Sequence, residues 1–350
     1  MAFKKYNDNY SPGCQSCQQG RWLCIYLTYL CNANCAFCPA PMKNVDKISS
    51  AFGDQPPQIL AFLMRHPFSG ISFSGGDCLL VFDRLLEWLK FFKYNLPEIY
   101  YWLYTNGLEV EPYHLEQLAR AGLDEIRFNI AATHYNTPTI LEKIAMATDI
   151  INHVAVEIPS IPTDYEKLVE VLPYLDQIKV KYLNLHEYLL VPDDPLLKTE
   201  SSGTFIFNKH TKLKYHAYSL QNTEKIKRFC EQRGFKLKIN KCSLQKKEYQ
   251  MLKRRITLGT LLRKKHEQLT EEGLLETCLV YPESQPQPAI QDIINAEGDE
   301  FDRYLVHPEQ ITAYLHQPKL TITRLSFLPP LSINDKRVLL NSQVINKFDN

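Results

Sequence analysis

The chain has 350 residues, 45% of them hydrophobic and 23% charged, which suits one large core or a main domain with a smaller appendage and excludes a disordered chain. Forty Lys and Arg against 39 Asp and Glu leave a net charge of +1, so no overall field names a partner. The longest apolar runs, such as residues 22–29, stop well short of the ~18 residues of a membrane span, and the opening MAFKKYNDNY carries no apolar signal region; a cytoplasmic protein with no membrane partner is expected.

Ten cysteines in such a compartment point to metal ligation rather than to a disulfide framework. In chain order, Cys14 and Cys17 lie in a Pro/Gly-containing loop, and Cys24 lies inside a strand predicted over 22–30. Cys31, Cys35 and Cys38 follow that strand at once. Three thiolates in a Cys-x3-Cys-x2-Cys run can wrap one corner of an iron–sulfur cube and leave one iron without a protein ligand, an opening that catalytic metal sites keep and structural ones close. A zinc site completed by a distant Cys or His is the alternative.

Further strands are predicted over 70–74, 99–104, 124–130, 153–158 and 181–187, beginning about every 25–30 residues, the length of a βα unit. Helix-period stripes lie between them. One is Leu85, Leu86, Trp88, Leu89 and Phe92; another is Leu115, Leu118 and Ala119, closed by Gly122. Such alternation requires a parallel sheet covered by helices, and six or more units favour a closed or partly closed barrel. A further unit is read as a helix over 223–233 ended by Gly234, with Cys230 in its apolar phase, and a strand over 235–240 followed by Cys242. A basic helix over 243–255, a Pro-rich stretch over 281–288 and a strand-like run over 320–328 form a C-terminal appendage. The expected organisation is an extension over 1–20, a barrel over 21–245 and a region of unassigned role over 246–350. Cys78 and Cys278 are expected to be packed thiols.

Active sites of βα barrels gather at the C-terminal ends of the strands, and several polar groups fall there. Ser74, Gly75, Gly76 and Asp77 follow the second strand, with glycines that let backbone approach a ligand or simply turn the chain. Thr105 and Asn106 follow the third strand, and Asn129 ends the fourth. Ile158 and Pro159 lie in the run Glu157–Pro162 after the fifth. On the sixth, alternation puts Asn184 and His186 on one face and Glu187 on the other, to contact a substrate or to serve as hydrogen-bonded structural residues. Cys24 and Cys31 are about 23 Å apart along a strand at ~3.3 Å per residue. Cys24 should therefore lie near the barrel bottom and Cys242 near its top, without sharing a metal, while Cys14 and Cys17 can reach either end.

The cysteine run, with Phe37 before its third member, resembles the signature of the radical S-adenosylmethionine (SAM) superfamily, and the resemblance extends over about residues 14–255. It implies an α/β fold, a partial (β/α)6-type radical SAM barrel. It also implies a 4Fe–4S cluster on Cys31, Cys35 and Cys38 whose open iron is chelated by SAM. Reductive cleavage of SAM then gives a 5′-deoxyadenosyl radical that abstracts hydrogen from a small-molecule or peptide substrate, with flavodoxin or ferredoxin as electron donor and activity only under anaerobic handling. Ser74–Asp77 resembles the motif Gly-Gly-Glu that binds the methionine ammonium, with the shorter Asp77 in place of Glu. By the same resemblance Thr105, Asn106 and Asn129 suit the ribose and carboxylate of SAM, Ile158 and Pro159 its adenine, and Asn184, His186 and Glu187 the substrate.

The chain is also similar to proteins that resemble pyruvate formate-lyase activating enzymes and combine an early Cys-x2-Cys with a late Cys-Ser. That similarity implies an auxiliary iron–sulfur cluster on Cys14, Cys17 and Cys242; a zinc knot and unliganded thiols stay open. Other functions stay open too. A glycyl-radical enzyme activase follows from the overall similarity. An RNA-modifying enzyme with a nucleic-acid partner follows from residues 201–265, where 18 Lys and Arg face only Glu224, Glu231 and Glu248. The non-enzymatic reading is a zinc or iron–sulfur binding protein.

Overall fold

A computed structural model describes residues 9–40, 44–50, 53–192, 194–199, 201–207, 211–282, 284, 305–314, 320–328 and 338–345. The chain divides into two compact units, residues 1–50 with 54–250, and residues 51–53 with 251–350.

The first unit opens with a helix, α1 (Pro12–Gln18), where a loop is read from the sequence; Pro12 starts it and the Ser11 hydroxyl caps it by accepting the Cys14 N–H. Strands and helices then alternate: β1 (Trp22–Thr28), β2 (Ser49–Ser50), α2 (Pro56–Leu63), β3 (Gly70–Gly75), α3 (Phe82–Asn95), β4 (Tyr100–Thr105), α4 (Pro112–Arg120), β5 (Glu125–Phe128), α5 (Pro138–Ile150), β6 (His153–Ser160), α6 (Tyr165–Gln177), β7 (Tyr182–Glu187), α7 (Ser219–Gln232) and β10 (Lys238–Cys242), with a hairpin of β8 (Ser202–Phe207) and β9 (Thr211–His216) between β7 and α7. Helix α8 (Leu244–Leu262) follows.

These strands form one sheet in the order β10-β7-β6-β5-β4-β3-β1-β2. Every neighbouring pair is parallel except β1–β2, so the six expected βα strands are joined by β10 as a seventh. Among the described residues the two edges do not pair with each other, which makes the barrel partial. Alternation sorts the side chains. Leu23, Ile25 and Leu27 of β1 and Ile126 and Phe128 of β5 are fully buried on one face. Trp22, Cys24, Glu125 and Arg127 occupy the other, which is the lumen. Gly122 and Gly234, at φ +92° and +66°, end α4 and α7.

Several boundaries differ from the sequence reading; β5 is confined to Glu125–Phe128, α7 begins at Ser219 and α8 runs on to Leu262. Strand β1 ends at Thr28, because the chain leaves the sheet before the cysteines, and β10 runs on to Cys242. The β8–β9 hairpin is absent from the sequence reading.

The second unit is an antiparallel sheet of β11 (Gln268–Leu269), β12 (Leu275–Pro282), β13 (Leu305–Val306), β14 (Leu320–Leu328) and β15 (Val338–Val344). Leu275, Leu279, Tyr281, Leu325 and Phe327 build a core on one face, and Cys278, Val280 and Ile322 build another on the opposite face. Residues 283 and 285–288 of the Pro-rich stretch lie outside the described residues. Among the described residues no helix is long and apolar enough to cross a membrane.

Candidate active site

Three half-buried thiols, Cys31, Cys35 and Cys38, lie in the loop that leaves the C-terminal end of β1. Both ends of this loop are fixed. Tyr29 N–H donates to the Val45 carbonyl and Asn44 N–H to that of Tyr29. Arg84 grips both oxygens of Asp46 at 2.7 and 2.9 Å and also donates to the Leu27 carbonyl, while Thr28 donates to Asp46. The cysteine segment is thus a closed excursion from the end of one strand.

The glycines after β3 have a specific use. A Cβ on Gly75, whose φ is +125°, would stand 1.9 Å from the Thr28 carbonyl oxygen, and one on Gly76 would stand 1.8 Å from that of Leu30. Their bare backbone lets Gly76 N–H reach Thr28 O and Asp77 N–H reach Leu30 O, both at 2.8 Å. The end of β3 therefore lies directly on the segment that leads into Cys31.

Asp77 is fully buried, and its carboxylate accepts from Leu79 N–H at 3.0 Å and from Thr105 Oγ1 and Asn106 N–H at 2.8 Å each. Burial pushes its pKa up, and these donors work against that shift. The Asp77 carboxylate thus braces the end of β3 against the end of β4. Asn106, set by this brace, donates to Asn32 Oδ1 at 2.7 Å and points the same amide at Cys31 Sγ, 3.7 Å away. Thr105 also accepts from Gly107 N–H, and Asn129 caps a short turn by accepting the Ala132 N–H. Phe37, Ser74 and Pro159 are half-buried; Ile158 is buried on the face of β6 opposite Glu157. Glu187 is turned to structure: its carboxylate accepts the Leu244 N–H at the start of α8.

A second set of cysteines lies at the lumen. Ser16 of α1 packs against Ser69 and Gly70 at the start of β3, and Gly13 faces Trp102, Glu125 and Arg127. This helix carries Cys14, whose thiol meets Asn184 Oδ1 at 3.5 Å and receives Asn240 Nδ2 at 3.4 Å, and Cys17, which meets Gln250 at 3.4 Å. Burial pushes the Cys14 thiol up to about 11. Burial raises Cys17 as well, and the neighbouring Cys242 and Cys14 add to that shift. Burial also raises Cys242, against the pull of Lys247.

The lumen is held by charges that the sequence reading did not single out. Arg127, 4% exposed, donates to Glu125 at 2.6 Å, to Glu157 at 2.7 Å and to Ser11 at 3.2 Å, and lies over the rings of Trp102 and Tyr104. Glu157 also accepts from Asn184 at 2.9 Å and meets His186 Nε2 at 2.5 Å. Burial alone would raise the Glu157 carboxyl, but Arg127 and His186 hold it well below the usual carboxylate range. Burial, with Lys247 nearby, lowers His186. The available signal was alternation: Glu125 and Arg127 fall on the same face of a strand whose other face is wholly apolar.

All ten cysteines are free. Among the described residues no three Cys, His, Asp or Glu side chains crowd together closely enough to hold one metal ion; thiolates on different irons of a cluster stand further apart. Three thiols at a strand end, with glycine backbone packed on the segment that leads into them and an amide directed at one sulfur, fit a cluster bound at one corner.

Residues 25–192 match the Radical SAM superfamily. The chain carries a radical SAM domain. It is an enzyme of the radical SAM type, which sets aside a purely structural metal-binding protein. A Methanocaldococcus jannaschii protein described as a glycyl-radical enzyme activating enzyme is 26% identical over 315 residues, covering 84% of this chain and 80% of that one. Streptococcus suis SuiB bound to S-adenosylmethionine has a TM-score of 0.47 at 14% identity, covering 63% of this chain and 50% of SuiB. The AdoMet-bound enzyme anSMEcpe has a TM-score of 0.44 at 16% identity, covering 62% of each chain. The radical SAM chain thus spans about half the length of SuiB, and these distant likenesses assign no residue roles.

Proposed function

We propose that Cys31, Cys35 and Cys38 hold a 4Fe–4S cluster with SAM beside it, and that the enzyme abstracts hydrogen from a small-molecule or peptide substrate. One juxtaposition carries this reading: the three thiols stand at the end of β1, on the glycine-paved end of β3, with Asn106 at the end of β4 directed at Cys31. When bound there, the cluster and SAM supply a one-electron reductive cleavage and the hydrogen-abstracting power that follows from it.

The chain's own residues position and shield. Arg84 and Asp46 fix the loop, Asp77 sets Asn106, and the amide of Asn106 steadies the sulfur of Cys31. A flavodoxin- or ferredoxin-type protein supplies the electron. Cys14, Cys17 and Cys242 hold an auxiliary iron–sulfur centre, a reading supported by the contact of Cys14 with Asn240, two residues before Cys242 on β10, and by all three thiols being free.

Electron paramagnetic resonance of the anaerobically reconstituted, reduced protein tests the cluster. A signal that shifts on adding SAM, and is missing from the Cys31→Ala, Cys35→Ala, Cys38→Ala variant, is expected. A SAM-insensitive signal, or zinc in place of iron at these cysteines, would contradict it.

A second reading, a glycyl-radical activase, is favoured by the M. jannaschii relative. It predicts a glycyl radical on a co-encoded partner protein when both are supplied with SAM and reductant. No comparable observation favours RNA. The basic residues of 201–265 are spread over β9, α7, β10 and α8, and two of them, Lys241 and Lys227, pair with Glu224 and Glu231.

A further inference from the structure

Cys242 is the last residue of β10, and its register partner on β7 is His186. Partners on adjacent parallel strands present their side chains to the same face. Two residues earlier on that face, Asn240 and Asn184 are partners as well, and both contact the Cys14 sulfur. Cys17 lies one helical turn beyond Cys14 and is close enough to Cys242 to be affected by its charge. An imidazole thus shares a register level and a sheet face with the third of these thiols.

The other nitrogen of this ring is already engaged. His186 Nε2 meets Glu157 Oε1 at 2.5 Å, and the second oxygen of Glu157 is held by Arg127 at 2.7 Å and Asn184 at 2.9 Å. A metal-bound histidine characteristically gives its remaining N–H to a carboxylate, which fixes the ring and raises its basicity as a ligand. Glu157 supplies that carboxylate and is itself fixed. A side chain that only contacts substrate does not require such an anchor.

We propose that His186 is the fourth protein ligand of the Cys14–Cys17–Cys242 centre, bonding through Nδ1 while Glu157 holds Nε2. The proposal rests on the auxiliary-centre reading above and moves His186 from substrate contact to ligation. It also gives Glu157 and Arg127 a purpose, as positioning residues for that ligand.

The test uses the full-length chain carrying Cys31→Ala, Cys35→Ala and Cys38→Ala, so that remaining iron reports the second centre alone. Reduced protein is expected to hold iron and sulfide and to show strong nitrogen hyperfine coupling in pulsed electron resonance. That coupling should change in protein grown with 15N-histidine, which leaves the chain unaltered. Adding His186→Cys should keep the iron, abolish the nitrogen coupling and lower the midpoint potential, because imidazole ligation raises it. Adding Glu157→Gln should weaken iron retention about 10- to 100-fold. A cluster without nitrogen coupling, unchanged by His186→Ala, would overturn His186 as ligand and leave the three-cysteine centre standing. A chain with no iron or sulfide would overturn both.

Discussion

Asp77 and Glu157 show how two buried carboxylates can be tied to different centres. Asp77 has three donors and one role, to hold the end of β3 to that of β4 and thereby set Asn106. In Asp77→Asn one oxygen becomes a donor facing other donors. Leaving a buried donor unpaired costs about 1–3 kcal/mol, and a loss of that size is expected in denaturant unfolding, with weaker SAM-cluster retention.

Glu157 gives a pH signature. Its folded pKa is depressed, so its contribution to stability is complete above its unfolded value and is lost as pH falls toward the folded one. Stability should therefore drop below about pH 4.3, the ordinary glutamate value. Glu157→Gln should flatten that acid limb while lowering stability at neutral pH by about 3 kcal/mol, the scale of breaking a buried pair. Thermal unfolding from pH 3 to 7 checks both. At this scale the cysteines were legible because ligand spacing is local in sequence. The cross-strand partners of Asp77 and Glu157 were not, because they are 27 to 30 residues away on neighbouring strands.

At the scale of elements, the contact between β3 and the cysteine segment and the docking of α1 are separable. Gly76→Ala would drive a Cβ to within 1.8 Å of the Leu30 carbonyl, and backbone must shift to admit it. A loss of about 1–3 kcal/mol is expected from such overpacking, together with loss of SAM-cluster iron and retention of iron at Cys14, Cys17 and Cys242. Ser11→Ala should do the reverse. It removes the cap of α1 and a partner of Arg127, costing about 1 kcal/mol, and should deplete iron from the second centre only. Metal analysis of the two variants checks this crossing pattern. The βα strands were readable because a period of two and a steady spacing survive in single sequences. Helix α1 was not, because seven residues rich in Gln, Cys and Pro show no apolar stripe, and what holds the helix is the lumen it enters.

At the scale of the molecule, the parallel sheet brings the ends of β1, β3 and β4 together at one site, and on the proposed reading the charged lumen holds a second. The family match covers 25–192, so it includes the first centre and most of the lumen network. Cys14, Cys17 and Cys242 fall outside it, and their place rests on this chain's own geometry. The antiparallel sheet of β11 to β15 reads in sequence as a weakly patterned tail, because burial on both faces removes the period-two alternation of a half-buried strand.

The most direct test is formation of 5′-deoxyadenosine from SAM by the anaerobically reconstituted full-length chain under a strong reductant, beside the Cys31→Ala, Cys35→Ala, Cys38→Ala variant. The account predicts the nucleoside from the wild type and none above background from the variant. Equal amounts from both, or none from wild-type protein that holds its cluster and binds SAM, would contradict it.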